Sequence, residues 1–249
     1  MVEIQASGRV LVLGEELSSY DKASMLGKGI SHLVPLAPAP ANARGEADLL
    51  VFSNIVRKLR VEDNGGVMKP TSGRVQIPPE CTDGTITVAV AENKKGFTLI
   101  SAFRTKSAGK NKFQINWFAG RKDEITTPSG KASLKLGEEQ EPTVILADPR
   151  DSRSAFLITV GSGDSCTSVL HKLIRGRKLE EPIATFQFAV KQAIFITGPD
   201  KSLFLLVLNG QTNQFSVFHL TKTEGYRSIL ATWNAAPEFQ VNLQSIRLG

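Results

Sequence analysis

Apolar residues recur along this chain in short runs, some alternating with polar residues and some continuous, and few stretches repeat at the helical period. The runs are Arg9–Leu13, Leu49–Ile55, Thr85–Ala91, Phe97–Phe103, Phe113–Phe118, Thr143–Ala147, Ala155–Val160, Ala184–Val190, Ala193–Thr197, Leu203–Leu208, Phe215–Leu220 and Ile229–Trp233. Turn chemistry separates them: Thr82-Asp83-Gly84, Asn93-Lys94-Lys95-Gly96, Ser162-Gly163-Asp164, Gly198-Pro199-Asp200 and Asn209-Gly210. Short strands with a turn about every ten residues predict an all-β, mainly antiparallel fold, drawn as a jelly-roll-like sandwich. Two short helices are expected beside it, over Ser18–Leu26 and Ser165–Ile174.

Three apolar segments look alike: Lys95–Phe103, Arg153–Gly161 and Lys201–Gly210. Each follows a charged turn and precedes a loop and another strand, as blades of a propeller would. Their unequal spacing and the lack of a propeller signature weigh against that arrangement. Residues 35–48 hold three prolines among small residues and read as an extended linker. The expected division is an N-terminal arm and Pro/Ala-rich linker over residues 1–45, followed by a single β domain over 46–249.

At 249 residues and 41% hydrophobic content the chain can bury a sizeable core. Its longest apolar run, Leu203–Leu208, is far too short to span a bilayer, and the N-terminus does not read as a signal peptide. Cys81 and Cys166 stand apart, with no CxxC pair or His at metal spacing, and read as buried thiols. His32, His171 and His219 sit in unrelated contexts, Asp148 and Asp151 read as turn residues, and Gly161-Ser162-Gly163 reads as a hairpin tip. The expectation is a non-enzymatic chain with no cofactor and no metal.

Charge changes the picture. Ten Lys and Arg against two acids lie between Lys94 and Lys135, a local net charge of +8 in a chain of +6. The excess is therefore confined to one segment and suggests a face for an anionic partner. Lys94, Lys95, Arg104, Lys106, Lys110, Lys112, Arg121 and Lys122 are the candidate phosphate contacts, interleaved with Phe113, Trp117 and Phe118, which either stack on bases or enter the core. An anionic membrane surface would attract the same patch. Arg175, Arg177 and Lys178, near Lys172, make a smaller one.

The string Pro78–Glu92, PPECTDGTITVAVAE, resembles the core signature of the thirty-kilodalton superfamily of plant-virus movement proteins: a proline-bearing turn, a glycine (Gly84), an apolar strand and a closing acid (Glu92). Lys110–Ile115, KNKFQI, resembles the basic segment of its tobamovirus-like branch. The family's closing residue is usually Asp, and its members tend to carry a long C-terminal tail that is not evident here. The resemblance implies a viral cell-to-cell movement protein that binds single-stranded nucleic acid without sequence preference, self-associates, touches membranes peripherally and works in host cytoplasm and plasmodesmata. The alternatives are a viral coat or matrix protein and a cellular ligand-binding β domain.

Overall fold

Prolines fix where strands end sideways. A proline cannot donate to a ladder, so within a sheet it is confined to an edge strand or a bulge. Pro35, Pro70, Pro128, Pro142 and Pro182 all lie in strands that form the edges of their sheets.

The computed structural model describes the residues of twenty strands together with residues 136, 139, 148–153, 166–167, 175–177, 187–189, 198, 202 and 210–213. A three-stranded sheet is formed by β1 (Val2–Ile4), β2 (Val10–Val12) and β3 (Glu15–Ser18). The next contains β4 (His32–Leu36), β5 (Ala47–Phe52), β6 (Ile55–Val61) and β7 (Met68–Pro70), with β8 (Val75–Gln76) also paired to β6. Three four-stranded sheets follow. They are β9 (Cys81–Asn93) to β12 (Glu124–Lys135) through β10 (Gly96–Thr105) and β11 (Lys112–Arg121); then β13 (Gln140–Ala147), β14 (Ser154–Gly161), β15 (Ser168–Ile174) and β16 (Pro182–Phe186); then β17 (Val190–Thr197), β18 (Leu203–Asn209), β19 (Gln214–Leu220) and β20 (Tyr226–Asn234).

All pairings are antiparallel, and in the four-stranded sheets each strand joins the next in sequence. The all-β, antiparallel class expected from the sequence is what the structure shows. Successive sheets pack face to face, and their first strands run beside one another, β4 next to β9, β9 next to β13 and β13 next to β17. Stacked four-stranded meanders with adjoining first strands are the blade arrangement of a β-propeller.

The second strand of each sheet explains why the layers stack. In β10, Leu99 and Phe103 face the preceding sheet with Leu50 and Phe52, while Ile100 and Ala102 face the next with Leu157 and Leu173. In β14, Leu157 turns back to Trp117, and Phe156 and Ile158 turn forward to Val207 and Phe218. A strand apolar on both faces needs a cover on each. The three look-alike segments of the sequence are thus β10, β14 and β18, the same strand of three successive sheets, and unequal strand lengths set their irregular spacing.

Several expectations are corrected. Ser168–Ile174 is strand β15, paired on both sides, where a helix was expected; a ladder on each edge overrides its weak helical signal. No described residue is helical, and most of Ser18–Leu26 lies outside the described residues. Glu124–Lys135, too polar to be read as a strand, is edge strand β12. The stretch read as a linker contributes Pro35 and Leu36 to β4 and Ala47 and Asp48 to β5, which pair with each other across the boundary drawn at residue 45. Cys166 is half-buried rather than buried.

Gly120 tests how tightly one interface is filled. It pairs with Phe97, whose ring lies across it; a Cβ at Gly120 would sit 2.0 Å from Phe97 Cζ. Gly120→Ala is expected to lower stability by about 1–3 kcal/mol in urea unfolding, and Phe97→Leu in the same chain should recover part of the loss. Additive losses in the double variant would show that the ring is not what the methyl group meets.

Candidate functional site

The basic residues expected to form one face are divided by the sheet. Arg104, one residue before the end of β10, lies opposite Phe113 and beside Lys112 at the start of β11, while Arg121 ends β11. Nine residues of strand separate Lys112 from Arg121, about 30 Å at the rise of a strand. That is more than three screening lengths at physiological salt. Lys94, Lys95, Lys106, Lys110 and Lys122 lie outside the described residues. Of the three described candidates, Arg104 and Lys112 lie at one end of the sheet and Arg121 at the other.

The interleaved aromatics are core. Phe113, Trp117 and Phe118 are wholly buried and offer no stacking platform. Arg104 is engaged within the fold: its Nη2 donates to Glu141 Oε1 at 3.0 Å, and its guanidinium lies 5.9 Å from the Phe113 ring centroid. This links β10 to β13 of the next sheet. Gly84 and Glu92 both lie on β9, where Glu92 pairs with Phe97.

A different constellation gathers where first strands meet. Each of β9, β13 and β17 carries a bulge near its start. On β9 the partners step from Thr85 to Thr87 and leave Ile86 over; on β13 they step from Pro142 to Val144 and leave Thr143; on β17 they step from Val190 to Gln192 and leave Lys191. Pro142 shows one local cause, since it has no N–H to give the ladder. A bulge in an edge strand re-aims a side chain and frees backbone groups. Thr143 and Lys191 are exposed and Ile86 is half-buried.

The bulges of β9 and β13 lie close together. Ile145 N donates to Thr87 Oγ1 at 3.2 Å, joining β13 to β9 just past both bulges. Val144 and Val190, beside theirs, share one apolar cluster between β13 and β17. At the junction into β17, Ser168 Oγ donates to Phe188 O at 2.9 Å and accepts from Val190 N at 2.8 Å.

His32 of β4 completes the row. Its ring is hydrogen-bonded to the backbone of Ile86, the bulged residue, and burial holds the imidazole pKa below its ordinary value against the opposing pull of that bond. The Nδ1 atom is buried without a partner, so the bond runs from Nε2 and leaves an Nδ1 lone pair. His171, between the sheets of β11 and β14, is likewise pushed down by burial and approaches Thr159 Oγ1 at 3.4 Å. Among the described residues no three His, Cys, Asp or Glu side chains gather as metal ligands.

The Asp148–Asp151 stretch is a turn, as expected. Asp148 accepts from Arg150 N, Nε and Nη2 at 3.0, 2.9 and 3.1 Å, and Asp151 accepts from Arg153 N at 3.0 Å and Ser154 Oγ at 2.8 Å. The Arg153 amide chiefly holds the Asp151 carboxyl below its usual range.

Sequence reading missed the bulge residues and set His32 aside. Their traces were nonetheless present: the strand pattern broke between Val190 and Ala193, and began only at Thr143 and at Thr85, where the ladder is interrupted.

No family model matches the chain, and no curated protein sequence matches it. Among solved structures, a "putative 6-phosphogluconolactonase" from Bacteroides fragilis superposes on 94% of this chain with a TM-score of 0.53 at 14% identity. This chain spans 64% of that protein's length. One of the same description from Bacteroides uniformis gives a TM-score of 0.46 at 13% identity, over 84% of this chain and 58% of the other. The first likeness is one of fold. It overturns the viral movement-protein reading, with its plant-virus and plasmodesmal setting; the described part of the motif, Cys81–Glu92, lies in β9, the first strand of its sheet. The expectation of a non-enzymatic chain is narrowed, because a structure of this fold bears an enzyme's name. No helix among the described residues is long and apolar enough to cross a membrane.

The two buried imidazoles predict a pH dependence. An unfolded histidine takes up a proton as pH falls through 6.5, whereas His32 and His171 resist it when folded. Below 6.5 the unfolded chain therefore binds more protons, and stability falls. The urea midpoint is expected to be lower at pH 5.5 than at pH 7.5, and His171→Gln should shrink that difference. Asp151 titrates below this window in both states and does not interfere. An equal midpoint at both pH values would mean that neither imidazole resists protonation.

Proposed function

We propose that this chain is a ligand-binding module whose ligand lies along the edge formed by β9, β13 and β17. The observation that carries this reading is that the neighbouring first strands β9, β13 and β17 each carry a bulge, at Ile86, Thr143 and Lys191. A bulge in an edge strand frees backbone groups and re-aims a side chain. Blade ends and first strands are open positions in such an architecture, since each first strand is paired on one side only. The fold itself hosts unrelated activities and does not choose among them.

A second reading, hydrolysis of a lactone ring, draws on His32. A neutral imidazole held by the Ile86 backbone, with its Nδ1 lone pair unengaged but buried, becomes a general base only if the edge opens to admit water and substrate to that nitrogen. It would then take a proton from water as the oxygen bonds to the ring carbonyl, and return it to the leaving alkoxide as the ring opens. The name carried by the structure of similar fold agrees with this chemistry.

Both readings are open to test. Thermal unfolding with a panel of sugars, sugar acids, fatty acids and nucleotides should show stabilisation by at least one compound. At about a hundredfold excess over Kd the gain is about 2.7 kcal/mol, or roughly 5–10 °C in a chain of this size. Thr143→Trp should abolish the shift by filling the edge. Persistence of the shift in that variant would place the ligand elsewhere, and no shift with any compound would count against the module. Hydrolysis of gluconolactone above the spontaneous rate, lost in His32→Gln, would favour the second reading.

A further inference from the structure

On the side of its sheet opposite β9, the outermost strand β12 meets the turn that follows β15. The ladder between β11 and β12 steps from Trp117 with Gly130 to Phe118 with Pro128 and leaves Ser129 over, a bulge that re-aims the serine. Ser129 Oγ donates to Trp117 O at 3.1 Å and accepts from Arg175 Nη1 at 3.4 Å. The stem of Arg175 crosses the bare backbone of Gly130, where a Cβ would run into Arg175 Cγ and Cδ. Gly130 has no positive φ, so this close approach, and not the backbone conformation, excludes a side chain there.

Arg175 N donates to Arg153 O at 2.9 Å, one step beyond the Ser154–Ile174 pair. The two arginines are therefore cross-strand neighbours on one face, an arrangement of like charges that costs stability on its own. The acid beside them, Asp151, is held by Arg153 N and Ser154 Oγ and lies against the charges of both Arg153 and Lys172. Arg175 meets no carboxylate among the described residues, and its 3.4 Å bond to Ser129 is long for a guanidinium.

We infer that Arg175 and Arg153 bind a phosphate group. The planar fork of Arg175 matches two phosphate oxygens, and a doubly charged group answers both guanidiniums at once. Gly130 is a positioning residue, since its bare backbone sets where the fork lies. The site stands apart from the edge formed by β9, β13 and β17 and does not depend on the binding reading.

Calorimetric titration at low ionic strength with inorganic phosphate, methyl phosphate and acetate tests this. Both phosphates should bind one to one, and acetate about tenfold more weakly. Arg175→Leu should weaken inorganic phosphate by about tenfold, and Arg153→Leu, at an exposed position, severalfold. Gly130→Ala should also weaken it severalfold with every charge retained. Lys131→Gln removes a charge from the face of β12 opposite Ala132 and Leu134, and should leave affinity within about twofold. Circular dichroism verifies that each variant folds. Vesicles of phosphatidylcholine with phosphatidic acid separate the sources: co-sedimentation lost in Arg175→Leu assigns the phosphate to a lipid headgroup, and methyl phosphate binding without co-sedimentation assigns it to a soluble ester. No binding of inorganic phosphate, unchanged affinity in both arginine variants, or an equal loss in Lys131→Gln overturns the inference.

Discussion

Every layer of this structure depends on one constraint: the second strand of each four-stranded sheet is apolar on both faces and cannot be left uncovered on either. In β10 and β14 nearly every residue is buried, whichever way it points. A meander alone can hide neither face. Stacking supplies both covers at once, and the connections between sheets need only be short, as the passage from Phe186 to Val190 shows. In the last sheet Val207 turns toward β14, while Leu206 and Leu208 turn to the opposite side and cluster with Ile194 and Phe215 of the same sheet.

The same constraint makes first strands the natural place for chemistry. Their residues need cover only where a neighbouring sheet lies, and one backbone edge is left outside the ladder. The structure exploits that freedom with bulges and with hydroxyl-to-backbone bonds between adjacent sheets, at Thr87 with Ile145 and at Ser168 with Val190. His32 shows the other half of the exchange. A bulge breaks the ladder at Ile86, and a side chain from the preceding sheet bonds to the backbone there.

The sequence made the strands legible because burial in alternate layers leaves a strong apolar signal, as in Leu99, Ile100 and Phe103 of β10. It hid β12, an outermost strand whose sequence carries Pro128 and Gly130 and whose Ser129 and Lys131 are exposed. It also hid the bulges. A charge excess over 94–135 is visible in one dimension, but a hairpin strand of ten residues sends its two ends about 30 Å apart, so neighbouring charges in sequence became distant in space. The strands that carry the bulges, far apart in sequence, became neighbours. Such a set is recognisable only once the register of three separate ladders is known, although Pro142 and the gap before Ala193 marked two of the three places.

Ser168 carries a consequence for how the molecule comes apart. One hydroxyl donates to Phe188 O and accepts from Val190 N, so it fastens the end of one meander to the beginning of the next with two bonds from a single atom. The sheets then behave less like beads on a string than like pages stitched at the spine. Opening the final sheet breaks the stitch and strips the cover from β14 together, which merges the two meanders into one cooperative unit of unfolding.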